Sequence, residues 1–247
     1  MSRRKKASYR IGTSGWHYTH WRGPFYSAGM NSRDMLAFYA RHFDTVEINN
    51  SFYRLPEEST LKNWAATVPA GFTFAVKASR YITHIKKLKD PQEPLKTFFG
   101  RIEVLGEKLG PVLFQLPPGW KVNAERLEQF LDALPEGFTC AFEFRNPTWF
   151  DDAILSLLDS HDAVFCVYEF AGVVSPKRTA GQAGYLRLHG PGDKYEGSYT
   201  ARRLEQWAGL LRSWHEGGKP VYCYFDNDQN GYAPRNALAL KEVIDAN

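Results

Sequence analysis

Strand-forming and helix-forming patterns alternate along this chain, and that alternation constrains its fold more than any other feature. Short apolar runs suited to buried strands lie at residues 9–14, 44–49, 72–78, 111–116, 139–144, 163–168, 184–189 and 220–226. Between them, apolar residues recur at helical spacing, as in Leu204, Trp207, Leu211 and Trp214. This alternation is typical of parallel strands joined by crossover helices. A chain of 247 residues has the length of one eight-stranded (β/α) barrel.

The alternative arrangement of parallel strands is an open, doubly wound sheet. Such a sheet holds nucleotide phosphates on a glycine-rich turn with GxGxxG spacing after the first strand. The corresponding turn here, Gly12-Thr13-Ser14-Gly15-Trp16, lacks that spacing. Polar residues also end early, middle and late strands alike, as expected when all βα loops surround one mouth. We therefore predict a TIM-type barrel of eight parallel strands over residues 9–247, preceded by a disordered basic tail at residues 1–8.

The connection after the sixth predicted strand departs from the pattern. Residues 170–183 lack apolar periodicity and contain Gly172, Pro176 and Gly181. Glycine and proline interrupt helices. We therefore expect an irregular loop that replaces or shortens the sixth crossover helix and covers the barrel mouth. Helix N-caps are predicted at Ser32, Ser59, Asn123 and Thr200.

Charge and apolar content restrict the setting in which the protein works. The net charge of +4 is largely due to four consecutive cations at residues 3–6. Neither a secretory signal nor a run of about 20 apolar residues follows them, so we expect a cytoplasmic protein without a membrane partner. Cys140, Cys166 and Cys223 fall within predicted strands without a closely spaced pair. We therefore expect buried, reduced thiols.

Six of the apolar runs end in charged or amide side chains on one face of the strand. Strand side chains alternate between faces, so these polar residues should meet at one end of the barrel. They are Glu47, Asn49, Lys77, Gln115, Glu143, Arg145, Arg187, His189 and Asp226. Active sites of TIM barrels lie at the carboxyl ends of the strands. The sequence therefore predicts a site at this mouth.

Several motifs resemble those of a known family. They are Gly12-Thr13-Ser14-Gly15-Trp16, Val46-Glu47-Ile48-Asn49, Lys77 with Ile82-Thr83-His84, Phe114-Gln115-Leu116-Pro117-Pro118, Glu143-Phe144-Arg145, Arg187-Leu188-His189-Gly190 and Phe225-Asp226-Asn227-Asp228. In this order they resemble the YecE-like family, domain-of-unknown-function family 72. The resemblance spans almost the whole chain. It implies a TIM-type barrel but no reaction, because the family is chiefly known as a domain of unknown function.

Charges of opposite sign nearly cancel in the predicted ring. Glu47, Glu143 and Asp226 or Asp228 oppose three cations, Lys77, Arg145 and Arg187. Buried charges must pair with one another or with a ligand, because isolated ones cost several kcal/mol each. The ring is therefore either a salt-bridge network that plugs the barrel or a ligand site. Its concentration at one end favours a ligand site, because apolar layers usually fill barrel interiors.

An anionic ligand suits the three cations. Arginine binds phosphate or carboxylate through paired N–H groups, and lysine adds a point charge. Carboxylates and histidine beside such a ligand can carry protons. The predicted catalytic residues are Glu47, Glu143 and His189. The predicted ligand-binding residues are Asn49, Lys77, Gln115, Arg145, Arg187, Asn227, Asp228, Trp16 and Tyr18, the last two by stacking.

A divalent metal is an alternative occupant of the same ring. Glu47, Glu143, His189 and Asp228 are ligand types found in carboxylate-rich metal sites. The three strand-end cations would repel the ion, and the sequence has no HxH or HExxH motif. We therefore predict no cofactor and keep the metal as the alternative.

These features favour an enzyme with hydrolytic or acid/base chemistry on a small phosphorylated or sugar-containing ligand at the mouth. One alternative is a nucleic-acid-binding or nucleic-acid-processing barrel that uses the basic tail, Lys177-Arg178 and the aromatic residues of the loops. Another is a non-catalytic metabolite-binding protein with the same ring. The enzyme is therefore the leading hypothesis, and the other two functions stay open as alternatives.

Overall fold

The computed structural model describes residues 9–246, so the predicted tail at residues 1–8 lies outside the described range. The strands are β1 (Tyr9–Thr13), β2 (Thr45–Ile48), β3 (Thr73–Lys77), β4 (Leu109–Leu116), β5 (Cys140–Phe144), β6 (Val164–Phe170), β7 (Val173–Val174), β8 (Gly184–Leu188) and β9 (Val221–Phe225). Apart from the short β7, they pair in parallel in the order β1-β9-β8-β6-β5-β4-β3-β2. This order confirms the predicted barrel of eight parallel strands.

Helices follow most strands and cover the outside of the barrel. They are α1 (Met35–Tyr39), α2 (Glu58–Thr67), α3 (Gln92–Ile102), α4 (Ala124–Asp132), α5 (Asp152–Ser160), α6 (Ala201–Glu216) and α7 (Tyr232–Asp245). Two predicted N-caps are confirmed, because the side chains of Asn123 and Thr200 accept hydrogen bonds from backbone N–H groups of α4 and α6. None of these helices is long and apolar enough to cross a membrane.

The predicted N-caps Ser32 and Ser59 are wrong. Ser32 begins a short 3-10 turn before α1, and its hydroxyl accepts a hydrogen bond from Arg22. Helix α2 already starts after Glu57, so Ser59 lies within its first turn. The N-cap positions are instead Asp34 for α1 and Glu57 for α2, and neither side chain caps its helix.

The barrel interior has an apolar layer below the strand ends. It consists of Ala75, Leu113, Ala141, Val164, Cys166, Ala183, Tyr185 and Tyr224. On five strands a polar mouth residue follows two positions later, as Arg187 follows Tyr185, so alternation places it directly above this layer. The three cysteines are buried and unpaired within the described residues, as predicted.

The barrel is nearly closed between β1 and β2, where only an isolated bridge joins Ser14 to Glu47 within the described chain. Below this bridge the Tyr39 hydroxyl spans the gap. It accepts a hydrogen bond from the Thr13 N–H (2.9 Å) and donates one to the Thr45 carbonyl (3.0 Å). A Cβ atom on Gly12 would lie 2.4 Å from that carbonyl oxygen, so this seam requires glycine.

Residues 171–183 contain no helix, which confirms the predicted replacement of the sixth crossover helix by a loop. β7 turns back along β6, and the chain then runs down the flank of the barrel. There Lys177 lies over the Trp207 ring of α6, and Arg178 pairs with Asp152 of α5. These contacts hold the second half of the loop against α5 and α6, on the outside of the barrel, where the sixth crossover helix would otherwise lie. The expectation that the loop covers the mouth is therefore wrong for this half.

Candidate functional site

Arg187 on β8 is the centre of the buried polar layer at the mouth. Its Nε donates to both carboxylate oxygens of Glu47 (3.1 Å each), and its Nη2 donates to Glu47 (2.6 Å) and Asp226 (3.2 Å). Its Nη1 donates to Glu143 (2.9 Å) and contacts the Nε2 atom of His189 (3.1 Å). An arginine has five N–H groups, and here protein acceptors engage all of them. The prediction that Arg187 contacts a ligand stays a prediction, because a ligand would have to displace one of these acceptors.

Glu47 on β2 is saturated with donors in the same way. Its Oε1 accepts from the Ser14 hydroxyl (2.5 Å), and its Oε2 accepts from the Tyr185 hydroxyl (2.7 Å), in addition to the bonds from Arg187. The carboxylate is fully buried. Ser14, just after β1, and two residues of β8, Tyr185 and Arg187, thus fix its position, and Glu47 in turn fixes the Arg187 guanidinium.

Glu143, at the end of β5, is held between two guanidinium groups. Arg145 Nε donates to its Oε1, and Arg187 donates to its Oε2. Burial raises the pKa of Glu143, but the charges of Arg145 and Arg187 outweigh this effect and hold the pKa well below its usual range. Glu143 is therefore a carboxylate at neutral pH, so it can accept a proton but has none to donate.

His189, just beyond β8, completes the network. Its Nε2 atom lies 2.8 Å from Arg145 Nη2 and 3.1 Å from Arg187 Nη1. Both partners are donors, so Nε2 must be an acceptor and the ring proton lies on Nδ1. Nδ1 faces Asp226 Oδ2 at 3.0 Å, without meeting hydrogen-bond geometry. Burial opposes ionisation of Asp226, but His189 and Arg187 lower its pKa overall, so an ionised carboxylate lies behind the imidazole.

Three neighbouring strands present donors that no acceptor within residues 9–246 engages. Lys77 ends β3, Gln115 lies near the end of β4, and Arg145 follows β5. Lys77 Nζ lies 4.4 Å from the centre of the Phe52 ring, with no carboxylate of the described chain within 4.0 Å. Burial and the Arg187 charge lower the pKa of Lys77 to about 8, although the nearby carboxylates act in the opposite direction. The Gln115 amide and Arg145 Nη1 also have no acceptor in this range.

Asn49, Trp16 and Tyr18, all predicted ligand-binding residues, line a different groove. It has a volume of about 570 Å³ and lies between the loops after β1 and β2. Trp16 is almost fully buried and packs edge-on against Trp64 (4.9 Å between ring centres). The Tyr18 hydroxyl donates to the Ser14 carbonyl (2.8 Å). These residues therefore lie beside the charged network and are not part of it.

Asn227 and Asp228 lie on the rim of the mouth. The Asn227 amide donates to Asn236 Oδ1 (2.9 Å) and thereby ties the strand end to α7. The Asp228 carboxylate contacts His20 (3.1 Å), while burial and the Asp226 charge raise the pKa of Asp228. Of the two aspartates considered for the ring, Asp226 is the one that contacts Arg187 and His189.

Several residues of the site were missed by sequence reasoning. They are Ser14, Phe52, His84, Tyr168, Phe170, Tyr185 and Tyr195. The alternation of strand faces could have found both Tyr185, which shares its face with Arg187, and Tyr168, which shares its face with Cys166 of the interior layer. Phe52, His84 and Tyr195 lie in loops, where the sequence carries no such signal.

The residues present do not fit the metal alternative. Within the described residues, no group of three or more His, Cys, Asp and Glu side chains has an arrangement that could hold a metal ion. Between Glu47, Glu143 and Asp226, the Arg187 guanidinium occupies the position that a cation would take. A divalent ion would have to displace that fixed charge.

Comparison with known proteins identifies the family. A family model described as "Protein of unknown function DUF72" matches residues 10–247. The chain belongs to this DUF72 family. UPF0759 protein YunF of Bacillus subtilis is 25% identical over 268 residues, which cover 95% of this chain and 94% of YunF. UPF0759 protein YecE of Escherichia coli K12 is 30% identical over 141 residues, which cover 57% of this chain and 49% of YecE.

Solved DUF72 structures share the fold. A DUF72 family protein from Thermotoga maritima (TM1631) superposes with a TM-score of 0.88 at 26% identity, over 96% of this chain and 99% of that one. A DUF72 family protein from Enterococcus faecalis has a TM-score of 0.80 at 18% identity, over 96% and 95% of the two chains. These matches confirm the family resemblance and the TIM-like barrel, and they show no activity.

Proposed function

We propose that this DUF72 protein is an enzyme that performs acid/base chemistry on a small phosphorylated or sugar-containing anion at the carboxyl-terminal mouth of its barrel. One observation supports this proposal above the others. Lys77, Gln115 and Arg145, on three adjacent strands, direct donors at the mouth that no acceptor within residues 9–246 engages. None of these donor atoms is among the buried ones that lack a partner, so they are open to the mouth, where a ligand with charged acceptors would form charge-assisted hydrogen bonds with them.

Arg145 is already ordered for such a ligand. Its Nε is bound to Glu143 and its Nη2 to His189, while the guanidinium carbon lies 4.5 Å from the Tyr168 ring centre and 4.2 Å from that of Phe170. Only Nη1 remains for a ligand. A side chain fixed in this way loses little further entropy on binding, and the aromatic faces strengthen its field by excluding water. We therefore assign one anionic oxygen to Nη1 and the others to Lys77 and Gln115.

Glu143 and His189 are the proton carriers that this geometry supports best. Glu143 is ionised beside Arg145, and His189 has Asp226 behind its Nδ1 atom. A bound ligand that takes over part of the charge of Arg145 would free either group to accept a proton. Glu47 has a positioning role in this proposal, because its carboxylate holds Arg187 and is itself fixed by the Ser14 and Tyr185 hydroxyls.

Turnover measurements test the proposal. A panel of phosphoesters, sugar phosphates and glycosides should contain at least one substrate. For that substrate Glu143→Gln should lower kcat by about 100-fold or more, since positioned proton carriers contribute about that much, and change KM only a few-fold. Glu128→Gln on the exposed side of α4 is the control and should leave both constants unchanged. Tight phosphate binding without turnover of any compound would contradict an enzyme and favour the metabolite-binding alternative.

The nucleic-acid alternative gains no support from the described part of the chain. Lys177 packs over Trp207, and Arg178 pairs with Asp152, both on the flank of the barrel. The basic residues 3–6 lie outside the described residues. Lys177 and Arg178, the positive groups of that hypothesis within the described residues, are thus not gathered at the mouth.

A further inference from the structure

Lys77 differs from the other cations of the mouth in having no ion-pair partner among residues 9–246. The Arg187 guanidinium engages Glu47, Glu143 and Asp226, and Arg145 takes the second oxygen of Glu143. Lys77 is only 7% exposed, so water does not fully replace the missing carboxylate. A buried amine with cations nearby and no counterion is the usual setting of a nucleophilic lysine.

A histidine shares the aromatic ring on which Lys77 rests. His84 lies in a π-helical turn, Tyr81–Ile85, and its ring stands perpendicular to that of Phe52, with 5.0 Å between ring centres. Its Nδ1 lies 2.9 Å from the Thr83 hydroxyl. Burial, then the charges of Lys77 and Arg80, lower the pKa of His84 to about 4. The imidazole is therefore neutral at pH 7 and able to accept a proton. Single π-helical turns are frequent at functional sites.

We propose that Lys77 is a catalytic amine that forms an imine with the carbonyl carbon of an aldehyde or ketone, while Arg145 binds an anionic group of the same molecule. This inference rests on the proposed anion site. It narrows the substrate class to anionic carbonyl compounds, such as 2-oxo acids and the open-chain forms of sugar phosphates. His84 assists as the proton carrier next to the amine.

The step is balanced without an oxidant, a reductant or a cofactor. The lone pair of the neutral Lys77 amine attacks the carbonyl carbon, and the electron pair of the C=O bond moves to oxygen. His84 carries one proton from the nitrogen to this oxygen, which gives a neutral carbinolamine. It then carries the second amine proton to the hydroxyl, which leaves as water while the nitrogen lone pair forms the C=N bond. One amine and one carbonyl thus give one imine and one water. The imine weakens adjacent C–H and C–C bonds, and Glu143 is placed to accept a proton there.

Reductive trapping tests the inference. The protein is incubated with glycolaldehyde phosphate and sodium cyanoborohydride, which adds a hydride to the imine carbon, and peptide mass mapping locates the stable secondary amine. At pH 7 we expect Lys77 to be labelled about tenfold faster than the exposed Lys62 and Lys121, because more of its amine is neutral. Lys77→Met and Lys77→Arg should both lose this label, and Lys86→Met should keep it. His84→Gln should slow labelling of Lys77 several-fold without moving the label to another residue.

The pH dependence separates Lys77 from an ordinary amine. The titratable and charged groups that face it are Arg187, Glu143, Asp226, Glu47 and His84. The rate of labelling at Lys77 should rise with pH and level off above about 8, whereas the rate for free lysine in the same buffer continues to rise. A rate at Lys77 that follows free lysine would contradict the inference.

Binding of inorganic phosphate, measured in parallel by calorimetry, separates this inference from the proposed function. If Lys62 and Lys121 are labelled as fast as Lys77, the proposed imine at Lys77 is overturned. If phosphate nevertheless binds in a way that depends on Arg145, the proposed anion site stands. Preferential labelling of Lys77 by glycolaldehyde phosphate and equally by glycolaldehyde, without phosphate binding, supports the amine chemistry and overturns the anion site.

Discussion

At the scale of single residues, the site depends on hydrogen bonds to buried carboxylates, and the bond from Tyr185 to Glu47 is the clearest case. Tyr185→Phe removes a donor 2.7 Å from Glu47 Oε2 without changing the packing volume. We expect the free energy of unfolding to fall by about 1–3 kcal/mol, since a hydrogen bond to a buried charge is lost. Urea denaturation measures it. Tyr222→Phe, in which the neighbouring stacked ring loses its hydroxyl, should change stability by less than about 0.5 kcal/mol.

Acid should weaken the fold through Glu143 and Asp226, whose pKa values are lowered in the folded protein. A carboxyl group whose pKa is lower in the folded protein than in the unfolded chain stabilises the fold at pH values above the unfolded pKa of about 4. This stabilisation is lost as the pH falls through the pKa of the folded protein. Stability should therefore decrease as pH is lowered from about 5 to 3. Glu143→Gln should reduce this decrease when unfolding is followed across the same pH range. An unchanged pH dependence in the variant would contradict the assignment to Glu143.

At the scale of elements, the seam between β1 and β2 depends on a residue of α1. Tyr39→Phe leaves the Thr13 N–H and the Thr45 carbonyl without their partner in the gap. We expect a loss of about 1–3 kcal/mol and faster hydrogen exchange at the Thr13 amide, measured by NMR. The amide of Ile11, on the same strand but away from the bridge, serves as the internal control. Equal acceleration at both amides would indicate global destabilisation and not opening of the seam.

The positions of the strands were predictable because each barrel strand is buried on both faces and carries a continuous apolar run. The missing sixth helix was predictable for the opposite reason, since Gly172, Pro176 and Gly181 break any helical pattern. Helix starts were predictable only where a local side chain makes the cap, as Asn123 does. Helix α2 starts after Glu57 without a side-chain cap, so no local pattern marks its start.

At the scale of the whole molecule, alternation on the strands and closure of the barrel together predict that Glu47, Lys77, Glu143 and Arg187 meet. The structure brings all four to one mouth. The ion pairs that they form were not predictable. These pairs depend on the stagger of the strands around the barrel, which brings Arg187 within reach of three carboxylates. Trp16, Tyr18 and Asn49 lie beyond strand ends, where backbone turns and not alternation set the direction of a side chain.

The mouth of the barrel therefore has two parts. Around Arg187 the hydrogen-bond donors are all engaged by acceptors of the protein, whereas at the ends of β3, β4 and β5 donors of Lys77, Gln115 and Arg145 have no acceptor in the described chain. A crystal structure of the protein soaked with inorganic phosphate tests this division most directly. We predict phosphate density within about 3 Å of Lys77 Nζ, the Gln115 amide and Arg145 Nη1, with the bonds of Arg187 unchanged. Phosphate bound at Arg187 in place of one of its carboxylates, or a mouth that stays empty at saturating phosphate, would contradict the account.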